Sequence, residues 1–352
     1  MKRVQLTNSK EVYNFCEPYI IAELGSNHNG DMKLAKELIV KAKEAGADAV
    51  KFQSWSKDSI FSKKVYNENY FLADDYRNRK DYTLEQIVSE FSISEEELLE
   101  MKGFAEKAGI TCVSTPFSKK EVDFLVEKMN VPFIKIASMD LNNYPFLKYA
   151  ASFGIPIVIA TGLSSLSEID EAVRAIESAG NNKIVILHCV SIYPPKDEEV
   201  NLNNIDTLRS IYPYPIGFSD HTLGTSIPLA AVTKGVSIIE KHFTLDKNMF
   251  GWDHKVSADP NDMAVIVKES KRINKALGSS RIETRESKDR LRAFRRSIVA
   301  AKDIKKGEIF TLVALDFKRP ADGLNPSAID FIIGKKAQRD IAYDEIIQMG
   351  DF

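Results

Sequence analysis

The chain has only five histidines in 352 residues, and each lies at or beyond the carboxyl end of an apolar run: His28, His188, His221, His242 and His254. His221 closes the stretch GFSDHT (217–222) beside Asp220, and His242 closes IEKHF (239–243) beside Glu240. Two imidazoles with nearby oxygen donors and room for water suit a divalent cation such as Mn²⁺ or Zn²⁺. Two lysines, Lys51 in DAVKFQ and Lys135 in FIKIAS, interrupt otherwise apolar runs. A buried ammonium is costly unless an anion meets it. The anion can be a ligand or an internal partner, with Glu23 and Asp140 the nearest candidates. Hydroxyls cluster at similar places: Ser114, Thr115, Ser118, Ser138, Ser191 and Tyr193. Together with Glu23, Asn27 and Gln53 they describe a compact polar site able to hold phosphate or a phosphate-carboxylate ligand. Schiff-base chemistry at one lysine is the competing reading.

Eight runs must position these groups. They are YIIAEL (19–24), DAVKFQ (48–53), TCVSTPF (111–117), FIKIAS (133–138), PIVIATG (156–162), KIVILHC (183–189), PIGFSDH (215–221) and SIIEKHF (237–243). Most stay apolar and β-branched until their last residues, as strands buried on both faces do. Amphipathic helical segments lie between them. One stripe carries Met32, Leu34, Ala35, Leu38, Ile39 and Ala42, and Gly46, Gly109 and Gly180 stop three such helices. Ser167 with Asp170 reads as a helix start. Eight strands alternating with helices over about 250 residues predict a (β/α)8 TIM barrel, whose sites form at the carboxyl ends of the strands. The insert at about 54–95 predicts an extra loop or short helices over the barrel mouth. The barrel domain is read as 1–280 and a polar linker as 281–290. A small domain of short strands and turns follows at 291–352.

Composition excludes several classes. A net charge of −2 with 44% hydrophobic and 28% charged residues leaves no electrostatic footprint for nucleic acid. No apolar run approaches the roughly 20 residues that span a bilayer. A cytoplasmic protein is expected. Neither GxGxxG nor GxxxxGK[ST] is present, so the usual dinucleotide and nucleoside-triphosphate marks are missing. Cys16, Cys112 and Cys189 lack metal-ligand spacing and read as buried, reduced thiols.

The motifs AELGSNHNGD, DAVKFQSW, VSTPFS, IKIASMD, ATGLSS, HCVSIYP, GFSDHT and IEKHFTLD occur in this order. Their series resembles the sialic acid synthase family, and the tail with IKKGE and KRPADGL resembles that family's antifreeze-like (β-clip type) domain. The resemblance implies condensation of phosphoenolpyruvate with an N-acylated aldohexose to give a nine-carbon 2-keto acid and phosphate. It implies a divalent metal on His221 and His242, with Mn²⁺ first and Mg²⁺ or Co²⁺ as alternatives, and Glu23 as the catalytic acid–base. Lys51, Thr115, Lys135, Ser138, Ser191 and Ser219 match phosphoenolpyruvate contacts. Gln53, Asp140, Tyr193, Asp253 and Arg319 match positions near the sugar. Arg319 is expected to cross a homodimer and cover the partner's site.

Asp140 stands where the family commonly has glutamate, Ser191 where another polar side chain is usual, and Trp252 where proline is frequent. These departures leave the acceptor open between N-acetylmannosamine and a 2,4-diacetamido-2,4,6-trideoxyhexose, the precursor of a legionaminic- or pseudaminic-type acid. A metal-dependent barrel hydrolase is the remote alternative. It would want an HxH pair on the first strand, which this chain lacks. A tail acting as an ice-binding module would need a flat apolar face, against which its KKGE, FKRP and GKKAQR segments argue.

Overall fold

The computed structural model of the protein describes residues 2–69 and 83–352. The chain divides into two compact units, Met1–Gly278 and Ser279–Phe352.

The first unit opens with an antiparallel hairpin, β1 (Val4–Thr7) and β2 (Lys10–Val12). The barrel follows: β3 (Tyr19–Gly25), α1 (Met32–Glu44) and β4 (Ala49–Ser54), then α2 (Lys57–Ile60), α3 (Lys63–Glu68), α4 (Leu84–Phe91), α5 (Glu95–Ala108) and β5 (Thr111–Pro116). Next come α6 (Lys119–Asp123), β6 (Ile134–Ile136), α7 (Tyr144–Ala151), β7 (Ile157–Ala160), α8 (Leu166–Ser178) and β8 (Ile184–Cys189). It ends with α9 (Asp197–Val200), α10 (Asn204–Ile211), β9 (Ile216–Asp220), α11 (Ser226–Thr233), β10 (Ile238–His242) and α12 (Pro260–Leu277).

All eight strands expected from the apolar runs are present. They form one parallel ladder in the order β5-β4-β3-β10-β9-β8-β7-β6, and β5 lies beside β6 to close the ring. Both faces are covered, which explains why β3, β7, β8, β9 and β10 are buried at every residue. The barrel is therefore TIM-like, and the carboxyl ends of its strands converge on one face.

The helices follow from local chemistry. Asp31 caps α1 by accepting from Lys33 N and Leu34 N, and Ala35, Leu38, Ile39 and Ala42 form its buried stripe. Gly109 ends α5 at φ +73°, a conformation that favours glycine. The start of α8 corrects the sequence reading. Its cap is Ser165, not Ser167, in a reciprocal box with Glu168. Within the insert, α2 to α4 gather Trp55, Tyr66, Leu84, Ile87, Val88 and Phe91 into a separate apolar cluster. Part of the insert expected at about 54–95, residues 70–82, lies outside the described residues. Ile216 N donates to Asn14 Oδ1 at 2.7 Å, tying the chain after the opening hairpin to the start of β9, away from the converging carboxyl ends.

The second unit contains α13 (Lys288–Phe294), β11 (Ser297–Ala300), β12 (Leu315–Lys318) and α14 (Ile329–Ile332). The two strands pair antiparallel. Ile298, Ile304, Phe310, Ile332, Ile341 and Ile347 form its core. The helix α13 begins inside the stretch read as linker from sequence.

Candidate active site

The alternation of side chains along a strand sends every second residue into the barrel. On β4 these are Lys51 and Gln53; on β10 they are Glu240 and His242. Parallel register sets Lys51 beside Glu23 of β3, Glu23 beside His242, and Ser219 of β9 beside Glu240. A cavity of about 660 Å³ opens over these groups. Glu23, Lys51, Gln53, Thr115, Lys135 and Ser138 line it, together with Ser191, Tyr193, Ser219, His221, His242 and Asp253. Of the residues expected near a sugar, Asp140 is not among the lining residues. Arg319, expected to reach a partner's site, lies in the second unit as that expectation requires.

The two lysines are buried, at 2% and 3% exposure, and both meet carboxylates. Lys51 pairs with Glu23 and donates to Thr115 Oγ1 at 2.7 Å. The Glu240 carboxylate lies between the ammonium groups, 3.8 Å from Lys51 and 3.5 Å from Lys135. The internal partner of Lys135 is thus Glu240 rather than Asp140. Ser219 also donates to Glu240, at 3.0 Å. Burial would raise the Glu240 carboxyl, but Lys135 and Lys51 outweigh it and hold Glu240 below its ordinary value. Glu23 behaves oppositely. Burial pushes it up to about 7 against the pull of Lys51, while Gln53 donates to its Oε1 at 3.0 Å. One carboxylate is held ionised and its neighbour is poised to exchange a proton near neutral pH.

The imidazoles of His221 and His242 lie 5.4 Å apart, centroid to centroid, with the Tyr193 ring 4.1 Å from His221. His221 uses Nδ1 on the Val190 carbonyl at 2.8 Å, which leaves Nε2 for a ligand. His242 Nδ1 is buried without a hydrogen-bond partner, 3.7 Å from the Asp253 carboxylate. Burial, then the charge of His221, hold His242 well below its usual value, so its ring is neutral with a lone pair. His221 is the opposite case: burial would lower it, but Cys189 and the Val190 carbonyl outweigh that and hold it above its usual value, so this ring must give up its proton before it can hold a divalent cation. Among the described residues no cluster of three or more His, Cys, Asp or Glu is arranged around an ion. His221 and His242 are the two imidazoles that would hold a divalent cation at this cavity.

The remaining histidines are structural. His28 packs on Phe52 and its Nδ1 accepts from Gly30 N. His188 stacks on Phe218 and uses Nε2 on the Val200 carbonyl. His254 bonds Thr244 through Nδ1 and Asn29 through Nε2. Other residues join the cavity that sequence reasoning had set aside. Cys189, read as a buried, reduced thiol, is buried and free, and it also lines the cavity and accepts from Ser138 Oγ at 3.5 Å. Gly162 donates to Ser138 Oγ at 3.1 Å, and a Cβ there would stand 2.2 Å from Ser191 Oγ, so only glycine lets these hydroxyls converge. Trp55, Phe117 and Trp252 form an apolar wall, with Trp55 and Trp252 5.8 Å apart. The alternation of strand 4 could have pointed to Trp55, two residues beyond Gln53.

Comparison with known proteins agrees on one family. A model of the NeuB family matches residues 38–282, and a SAF domain model matches 295–352. The chain is 39% identical to the N,N'-diacetyllegionaminic acid synthase of Campylobacter jejuni, over 94% of this chain and 98% of that protein. It is 34% identical to a pseudaminic acid synthase of the same species, over 95% and 96%. Among solved structures, the N-acetylneuraminic acid (sialic acid) synthetase of Leptospira borgpetersenii in complex with citrate superposes with a TM-score of 0.72. Its identity is 34%, covering 82% of this chain and 94% of that one.

Proposed function

The chain belongs to the NeuB family, and on that premise we propose that it is a nonulosonic acid synthase, a transferase that condenses phosphoenolpyruvate with an N-acylated aldohexose. The observation that carries this reading is the placement of two buried ammonium groups and two buried imidazoles around one cavity, with Glu23 in contact with Lys51 and beside His242 in register.

Lys51 and Lys135, with Thr115, Ser138, Ser191 and Ser219, hold the phosphate and carboxylate of phosphoenolpyruvate. Gln53, Tyr193 and Asp253 orient the open-chain sugar. A divalent cation on His221 and His242, Mn²⁺ being the first choice, supplies Lewis-acid polarisation of an aldehyde when bound. Bond formation joins C3 of phosphoenolpyruvate to C1 of the sugar. Protonated Glu23 gives its proton to the aldehyde oxygen, which becomes a hydroxyl. The cationic C2 then takes water, whose proton returns to Glu23. The C2–O bond to phosphate breaks as the C2 hydroxyl gives its proton to the departing phosphate, leaving a 2-keto acid and inorganic phosphate. A carboxyl with a pKa of about 7 can serve both transfers at neutral pH. Arg319, whose guanidinium lies 5.3 Å over the Phe294 ring, is assigned to the sugar site of a second copy in a homodimer.

Phosphate release tests the reading. Phosphoenolpyruvate labelled with ¹⁸O at its bridging oxygen should release labelled phosphate only when an N-acylated aldohexose is supplied, and a chelator should stop it. Release without sugar, or label retained in the keto acid, would overturn it.

A further inference from the structure

The loop between β10 and α12 brings Trp252 and Asp253 to the cavity. Loops move more than the strands they join, so a loop carboxylate that must meet a substrate needs an anchor. The next residue supplies one. His254 is 1% exposed and is not among the cavity-lining residues. Its Nε2 faces Asn29 Oδ1 at 3.2 Å, on the loop between β3 and α1. An amide oxygen only accepts, and the Asn29 amide nitrogen donates to the Phe250 carbonyl at 2.6 Å, so Nε2 carries the ring proton. Nδ1 meets the Thr244 hydroxyl at 2.6 Å. Asn29 thus grips the β10–α12 loop on both sides of Asp253, at Phe250 and at His254.

A second hold comes from the same neighbouring loop. Ser257 Oγ donates to the Asp253 carbonyl at 2.7 Å and accepts from Asn27 Nδ2 at 2.9 Å. Gly251 makes room for the first hold. Its φ is +154°, and a Cβ there would stand 2.4 Å from His254 Cδ2 and 2.8 Å from Asn29 Oδ1. Because β3 and β10 are adjacent strands, both loops rise from the same side of the barrel. The outcome is an Asp253 carboxylate set 3.7 Å from His242 Nδ1, at the cavity wall.

Resting on the synthase reading and on the place it gives Asp253 beside the sugar, we infer that His254 is a positioning residue. Through its bond to Asn29 it fixes Asp253 for the acceptor sugar while touching neither substrate. A displacement of about 1 Å at a binding group is enough to cost 10- to 100-fold.

The full-length enzyme is assayed with phosphoenolpyruvate and whichever of N-acetylmannosamine and 2,4-diacetamido-2,4,6-trideoxyhexose the wild type turns over faster. His254→Asn keeps a polar group near Thr244 and is too short to reach Asn29, whereas His254→Gln offers an amide N–H in place of Nε2. His254→Asn should raise the sugar KM about tenfold or more, with kcat changed less and phosphoenolpyruvate affinity by calorimetry unchanged. His254→Gln should restore most of the loss. In an Asp253→Asn background, His254→Asn should add nothing, because it acts through that carboxylate. Should His254→Asn fail to fold, Asn29→Ala breaks the same bond from the other loop and is read in the same way. An unchanged sugar KM, an equal loss of phosphoenolpyruvate affinity, no rescue by glutamine, or additive effects in the double variant would overturn the inference and leave the synthase reading standing. So would an Asp253→Asn enzyme with an unchanged sugar KM. Absence of phosphate release by the wild type with either sugar overturns both.

Discussion

Asp220 and Lys241 form an ion pair at 2.5 Å, at 0% and 1% exposure, and each immediately precedes one of the two cavity imidazoles. They are register neighbours on β9 and β10, on the face opposite His221 and His242. Lys241 also donates to the Thr222 carbonyl at 2.6 Å, and Asp220 accepts from Thr222 N at 3.0 Å. The pair pins the turn that carries His221 to the strand that carries His242. Lys241→Met strands a buried carboxylate and should cost about 3–5 kcal/mol in denaturant unfolding. The double variant Asp220→Leu/Lys241→Met should recover much of that loss, yet bind Mn²⁺ about tenfold more weakly than wild type by calorimetry. A double variant with unchanged Mn²⁺ affinity would show that the pair does not position the imidazoles.

Glu23 gives a pH signature. Its carboxyl is raised from 4.5 to about 7 chiefly by burial. A folded pKa above the unfolded one means that the folded state keeps a proton the unfolded chain has lost. Its favourable contribution is complete below the unfolded value and is lost as pH rises toward 7. Glu23→Gln removes that loss, so the variant's stability relative to wild type should improve from pH 4.5 to 7. Its kcat should fall by about 10²- to 10⁴-fold, and the limb of the pH–rate profile near 7 should vanish. A kcat within a few fold of wild type would exclude Glu23 as the proton carrier.

Arg319 offers a test by complementation. Separately inactive Arg319→Ala and Glu23→Ala subunits, mixed and reassembled, should regain activity because one site of each mixed dimer is intact. Folded mixed dimers with no activity would place Arg319 outside the partner's site.

The barrel was legible because β-branched runs buried on both faces carry a pattern independent of distant contacts. The cavity was legible where polar residues interrupt those runs, as Lys51, Lys135, Glu23, His221 and His242 do. What escaped depends on contacts remote in sequence. Asp220 and Lys241 are 21 residues apart and meet only through strand register. Glu240, not Asp140, faces Lys135 because β10 and β6 point toward a common axis. The strands of the opening hairpin, VQLT and KEV, are too short and too polar to stand out. Three histidines resembled site residues because strand ends also need side chains to satisfy backbone groups, and His188 and His28 do that work.

Binding of phosphoenolpyruvate tests the central assignment most directly, by calorimetric titration of wild type, Lys135→Met and His221→Ala. Lys135→Met should lose about 100-fold in affinity, whereas His221→Ala should keep phosphoenolpyruvate binding and lose Mn²⁺ binding. Unchanged phosphoenolpyruvate affinity in a folded Lys135→Met protein would contradict the account.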